Sequence, residues 1–172
     1  EEFFLEAESG LSQTDQVLAL IEPYQPSHVA LLANDVNQAY DHLNQARSLL
    51  GQARSASDQR EASSLTQRAE RAVLDAVLVG HRVEDWKEYA RNQRTRDAAA
   101  DADTALKYST EAVVCYMAAL DDFMSLHRSR VSLAARTMLM LANKTLTRVD
   151  AIGSSDPERA LRLIDQAEQQ AE

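Results

Sequence analysis

The feature that most constrains the fold of this chain is its shortage of residues that interrupt helices. Only four glycines and three prolines occur in 172 residues, whereas alanine and leucine are frequent. Glycine and proline are the poorest helix formers and alanine is the best, so this composition favours long helices with few breaks. Aromatic residues make up 5% of the chain. A core must therefore be built mainly from Leu, Val, Ile and Ala.

Apolar residues recur at alternating steps of three and four, which is the spacing of a heptad seam. The clearest seam lies between Asn34 and Ala56 and consists of Val36, Ala39, Leu43, Ala46, Leu50 and Ala53. Similar seams along the chain predict about six helices and no sheet. We therefore predict an all-α fold, an elongated antiparallel helical bundle that forms a single module over residues 1–172.

Caps and breaking residues predict the helix boundaries. We expect a first helix over residues 2–21, a second with Asn34 as N-cap, and a third over residues 58–91 with Asp58 in a capping box. A fourth helix should begin at about Arg96, and a fifth should follow a break at Ser129 and Ser132. A sixth should start at a capping box of Ser155 with Glu158. Gly153 is expected to end the fifth helix. The seams predict these buried residues: Leu43, Leu50, Leu65, Ala69, Tyr116, Leu120, Leu139, Leu146 and Leu163.

The apolar pattern of residues 34–76 recurs near the end of the chain, which suggests an internal repeat. A shift of 96 residues places Leu43 on Leu139, and a shift of 98 places Asp58 on Asp156. We predict that residues 34–76 superpose on residues 130–172, as parts of two three-helix repeats over residues 1–96 and 97–172. The alternative, that any two Ala/Leu hairpins align this well, stays open.

The net charge of −9 is unevenly distributed. Residues 1–46 hold eight acidic residues and no Lys or Arg, whereas all 18 basic residues follow. This argues against nucleic-acid binding, which needs clustered cations. Glu6, Glu8, Asp15 and Asp41 form a candidate interaction face for a basic partner. The favoured interpretation is a solvated surface that serves solubility and places acids in helix first turns.

Basic residues gather at two predicted helix turns. Lys87, Arg91, Arg94 and Arg96 form a candidate basic tip for anionic lipid or an acidic partner, and Arg128, Arg130 and Arg136 lie at the next turn. The favoured interpretation is that these cations complement the dipoles of helix C-termini.

No motif for catalysis or metal binding is present. The residues three before the four histidines are Gln25, Ala39, Leu78 and Met124, so Glu-x-x-His is absent. We expect a solvated pair of His81 with Asp85, a half-buried His127 and an inert, buried Cys115. The sequence therefore predicts a protein that is not an enzyme and that binds no cofactor or metal.

Several segments carry a resemblance to a known family. Tyr24–Asp35, Ala69–Val73, His127–Thr137 and Asp156–Leu161 resemble the helical region of bacterial TPM-domain membrane proteins, and the likeness covers most of residues 17–172. In that family a signal peptide, a TPM domain and a transmembrane segment precede the helical region. The resemblance implies a membrane-tethered parent, with membrane contact only through segments outside this chain, and implies no activity for the segment itself.

The first residue is Glu1 rather than Met, and the last residues continue a helical pattern, so we expect a fragment of a longer chain. The leading hypothesis is a soluble structural or interaction module. We expect its partner to be another protein or other segments of its parent chain, and we favour the cytoplasmic side of the membrane. The alternatives are a repeat-type peptide-binding adaptor and a carrier bundle for a small molecule or metal.

Overall fold

A computed structural model describes residues 2–129, 131–152 and 155–171. Seven helices account for more than three quarters of these residues, and no strand occurs among them. The helices are α1 (Glu2–Leu11), α2 (Thr14–Ile21), α3 (Pro26–Ser55), α4 (Gln59–Asp97), α5 (Ala102–Leu126), α6 (Leu133–Ile152) and α7 (Pro157–Ala171). The all-α prediction is confirmed.

The predicted first helix is in fact two helices, α1 and α2. Near the break, the hydroxyl of Ser12 donates to the carbonyl of Ser9 at 2.8 Å, and the hydroxyl of Thr14 donates to the carbonyl of Leu11 at 2.6 Å. Ser and Thr hydroxyls compete in this way for carbonyls that a continuing helix would use. Apolar periodicity runs through the break, which is why the sequence did not reveal it.

The predicted start of the second helix was wrong. α3 begins at Pro26 rather than after Asn34, which is an exposed residue within the helix. Proline is well suited to the first position of a helix, because the N–H that it lacks would have no intrahelical acceptor there. Pro26 therefore starts α3.

The ends of the later helices depend on Asp and Ser caps. The Asp58 carboxylate accepts the backbone N–H of Arg60 at 3.1 Å, which confirms Asp58 as the N-cap of α4, but the described residues show no return bond from Glu61 that would complete the predicted capping box. α4 then runs to Asp97 instead of Arg91, and α5 begins at Ala102 because Asp101 caps it through the N–H of Thr104 at 2.8 Å.

The break before α6 is confirmed, with the Ser132 hydroxyl accepting the N–H of Ala135 at 3.2 Å. At α7 the predicted cap was wrong by one residue. Asp156, not Ser155, accepts the backbone N–H of Arg159 at 3.1 Å. Gly153 lies outside the described residues.

The chain forms two compact units, unit 1 (Glu1–Glu84) and unit 2 (Asp85–Glu172), with the boundary inside α4. In unit 1, α2 packs on α3, and the core includes the fully buried Leu11, Val17, Ile21, Leu32 and Leu43. α1 and α4 touch through the backbones of Gly10 and Gly80, where a side chain on Gly10 would not fit.

Unit 1 also contains a buried ion pair. Arg82 of α4 donates to the Asp35 carboxylate of α3, and the two side chains are 1% and 3% exposed. Burial, with the charge of Arg82 as the second cause, lowers the pKa of the neighbouring His28 to about 4. A charged histidine is disfavoured there because desolvation and a nearby cation both oppose protonation.

In unit 2, α5 and α6 pack on α7 around an aliphatic core. Its members are Val113, Met117, Leu139, Ala142, Val149, Ala160, Ile164 and Ala167. A second cluster is aromatic: the rings of Trp86, Tyr89 and Tyr116 lie with centroids 5.3–5.6 Å apart. The Tyr89 hydroxyl donates to Glu168 at 2.9 Å.

The predicted core residues divide into two groups. Four are buried, namely Leu43, Ala69, Tyr116 and Leu139; the other five, Leu50, Leu65, Leu120, Leu146 and Leu163, are half-buried, and none is exposed. The seams therefore face the interiors of the units, but about half of the predicted seam residues are partly accessible to solvent.

Candidate interaction surface

The predicted acidic face is not uniform. Glu6 binds the His81 ring at 3.1 Å, and Glu8 forms an ion pair with Arg47, so these two carboxylates already have partners within unit 1. The predicted pairing of His81 with Asp85 was therefore wrong, because a carboxylate on another helix takes that imidazole. Asp15 and Asp41 are exposed, and neither has a hydrogen bond or ion pair among the described residues.

Asp15 lines a groove of about 320 Å³ in unit 1, which we call the acidic groove. Its lining combines Leu18 and Val36 with the polar side chains of Asp15, Asn37 and Tyr40. The α1–α2 break positions Asp15 in the first turn of α2, and the packing of α2 on α3 sets that turn beside the α3 face.

Asp41 extends the acidic character of this surface. It follows Tyr40 directly and lies one turn beyond Asn37 on α3, where residues four apart share a helix face. The Tyr40 side chain is 42% exposed, so part of its ring faces solvent. Carboxylates beside an accessible aromatic ring form a surface that suits a Lys or Arg side chain.

Tyr40 and Asn37 were missed by the sequence reasoning. Both lie off the Val36, Ala39, Leu43 seam, and they were not considered because the search for an acidic face counted only charges. An aromatic residue that falls outside a seam, directly next to an aspartate, was the available signal. The groove itself could not be found, since it depends on how α2 rests on α3.

The candidate basic tip is partly neutralised. Arg91 pairs with Glu88 at 2.8 Å and Arg96 pairs with Asp165 at 3.0 Å, while Lys87 is half-buried. Arg94 is exposed, and with Arg96 it lies in the last turn of α4. Cations at that position complement the helix dipole, as the favoured interpretation expects.

The second set of arginines lies at the α5–α6 turn. There Arg136 reaches back to the carbonyl of Arg128 at 3.4 Å. Arg130 lies outside the described residues. Of the two arginines that the structure describes at this turn, Arg136 thus uses its guanidinium group in a hydrogen bond to a backbone carbonyl.

Metal and thiol chemistry find little support in the described part of the chain. No group of three or more His, Cys, Asp or Glu side chains there could hold a metal ion. Cys115 is half-buried, and burial, followed by the charges of Asp85, Glu88 and Glu111, raises the pKa of its thiol to about 11. Such a thiol is a poor nucleophile at neutral pH because little thiolate is present. His127 is half-buried and its ring lies 4.5 Å from that of Phe123.

Within the described ranges, none of the helices combines the length and the apolar character that a membrane span requires. No known family model matches the chain, and neither a curated protein nor a solved structure is significantly similar to it. The resemblance to TPM-domain proteins therefore remains an expectation that depends on the segments that carry it.

Proposed function

We propose that this chain is a non-catalytic interaction module of a membrane-tethered protein, and that its acidic groove docks a Lys- or Arg-bearing segment of a protein partner or of its own parent chain. The membrane-tethered parent is supported by the TPM resemblance alone. The docking role is supported by one observation: Asp15 and the accessible Tyr40 line the same groove, the exposed Asp41 follows Tyr40 on α3, and neither carboxylate has a cation among the described residues.

The charge of unit 1 supports the same role. Residues 1–84 contain thirteen acidic and six basic residues, and the first basic residue is Arg47. Unit 1 is therefore negative overall. A field of one sign attracts an oppositely charged segment and raises the rate of encounter.

The chemistry of the groove fits a guanidinium or ammonium group. A cation over the exposed Tyr40 ring gains about 0.5–1 kcal/mol. An exposed ion pair with Asp15 or Asp41 adds roughly 0.2–1 kcal/mol. Each contact is weak, so stable docking requires a segment with several basic residues that bind Asp15, Tyr40 and Asp41 together.

The test is a fluorescence-anisotropy titration of the chain with a labelled arginine-rich peptide. The control peptide carries citrulline, which keeps the shape of arginine and removes its charge. We expect binding of the arginine peptide alone. Binding should weaken with salt, because the Debye length falls from ~10 Å at 0.1 M to ~3 Å at 1 M.

Matched variants separate the groove from net charge. The double variant Asp15→Asn/Asp41→Asn should reduce binding by about two- to thirtyfold, since it removes two exposed ion pairs of roughly 0.2–1 kcal/mol each. Glu22→Gln/Glu61→Gln changes the net charge equally at exposed positions outside the groove and should leave most of the binding intact. Equal losses in the two variants, or equal binding of the citrulline peptide, would contradict the proposal.

A further inference from the structure

A second surface of unit 1 exposes large apolar side chains around the start of α1. Phe3 is 56% exposed and Leu5 is 68% exposed. Two grooves adjoin there, of about 410 and 470 Å³, and both are lined by Phe4 and Leu50. We call the surface formed by Phe3, Phe4, Leu5, Leu50, Gly51 and Arg54 the apolar patch. Exposed apolar surface that adjoins open grooves is typical of an interaction site.

Two arginines of α3 border the apolar patch and differ in their partners. Arg47 pairs with Glu8 and lies over the Phe4 ring, 5.4 Å from its centroid, so it fixes that ring in place. Arg54 lines the same groove and has no ion pair or hydrogen bond among the described residues. The patch therefore offers a cation that unit 1 itself does not use. Glu2, in the first turn of α1, is an exposed anion one helical turn before Leu5, so it shares the α1 face that carries Leu5.

Gly51 gives a second, independent observation. It lies within α3, where glycine costs roughly 0.5–1 kcal/mol relative to alanine. A Cβ built on Gly51 would meet no atom within 4 Å, so the packing of unit 1 does not require glycine there. Gly51 nevertheless lines the groove between Leu50 and Arg54. A missing side chain at that point lets another backbone or a large side chain approach α3 closely.

We propose that the apolar patch is the interface of a two-fold symmetric dimer of this chain. A two-fold contact uses the same surface on both copies, so that surface must contain its own complement. The apolar patch does so: it has projecting side chains in Phe3 and Leu5, a groove floored by Gly51, and charges of both signs in Glu2 and Arg54. In the dimer, Leu5 of each copy enters the groove over Gly51 of the other, and Glu2 pairs with Arg54.

The presence of both signs favours a second copy over other occupants. A lipid surface or an acidic peptide would use Arg54 but would be repelled by Glu2, and a basic peptide would be repelled by Arg54. The proposal does not depend on the acidic groove, since the patch shares no lining residue with it.

Sedimentation velocity over a range of concentrations tests the proposal on the whole chain. We expect the wild-type chain to show a concentration-dependent dimer. Leu5→Asp should raise the dissociation constant at least about tenfold, because burial of a leucine side chain is lost in each copy. Leu31→Asp changes a leucine that is 45% exposed outside the patch, and it should leave the dissociation constant unchanged. Far-UV circular dichroism confirms that both variants keep their helices.

Charge reversal identifies the contact more closely. Arg54→Glu alone should weaken the dimer, and Glu2→Arg combined with Arg54→Glu in the same chain should restore it, since the pair is reformed with opposite signs. A wild-type chain that stays monomeric at every concentration would overturn the proposal. So would a dimer that is weakened as much by Leu31→Asp as by Leu5→Asp, or one that the double reversal fails to restore.

Discussion

Replacing Gly10 with alanine tests the closest helix contact in unit 1. A Cβ at position 10 would lie 2.7 Å from the Cα, 2.9 Å from the carbonyl carbon and 3.0 Å from the carbonyl oxygen of Gly80. These are backbone atoms, so the clash is relieved only if α1 and α4 move apart. Overpacking of this kind costs about 1–3 kcal/mol, and the better helix propensity of alanine offsets about 1 kcal/mol. We expect Gly10→Ala to lower the free energy of unfolding of unit 1 by about 1–2 kcal/mol, at the upper end of that balance because backbone cannot yield like a side chain.

The chain offers two matched controls for this substitution. At Gly80 a Cβ would lie 3.5 Å from the Ala7 carbonyl oxygen and from the Gly10 Cα, which is an ordinary contact, and at Gly51 it would meet nothing within 4 Å. Both alanine variants should therefore raise stability, by roughly 0.5–1 kcal/mol. The contact between α1 and α4 thus has room for a methyl group on Gly80 but not on Gly10.

The assay is urea denaturation followed by far-UV circular dichroism, with hydrogen exchange of the α1 amides to assign the change to unit 1. Fluorescence would not serve, because the single tryptophan, Trp86, lies in unit 2. An unchanged m-value would show that the midpoint shift reports stability rather than a change in surface exposure. If Gly10→Ala proves as stable as Gly51→Ala, the close approach of α1 to α4 is wrong.

Three further outcomes follow from the buried groups. Asp35→Leu should cost about 3–5 kcal/mol because it leaves the Arg82 guanidinium buried without its carboxylate, and adding Arg82→Met should recover most of that loss in urea denaturation. The pKa of His28 is about 4 in the folded chain and 6.5 in the unfolded chain, so between these pH values the unfolded chain binds one more proton. The free energy of unfolding should therefore fall as the pH drops from 6.5 to 4, and His28→Gln should flatten that slope. An unchanged slope would show that His28 is not the group responsible. Cys115, with a pKa of about 11, should be alkylated at pH 8 roughly a hundredfold more slowly in the native than in the denatured chain, and equal rates would contradict its burial.

The sequence by itself determined the class of fold and some of the buried positions. Helix propensity and heptad spacing are local properties, readable over one or two turns, and they correctly assigned Leu43, Ala69, Tyr116 and Leu139 to buried positions. Caps are equally local, which is why Asp58 was identified correctly and the α7 cap was missed by only one residue. The repeat of residues 34–76 in residues 130–172 remains a prediction.

Only the tertiary structure decided which of the acidic side chains form ion pairs within unit 1. Eight acidic residues in the first 46 looked equivalent in the sequence, yet Asp35 is buried against Arg82, Glu6 and Glu8 are paired, and Asp15 and Asp41 are exposed with no ion pair among the described residues. The physical reason is that a seam fixes which face of a helix turns inward but not how far the helix slides or rotates against its neighbours. Contacts such as Gly10 with Gly80, and the groove between Asp15 and Tyr40, depend on those offsets, and local periodicity carries no record of them.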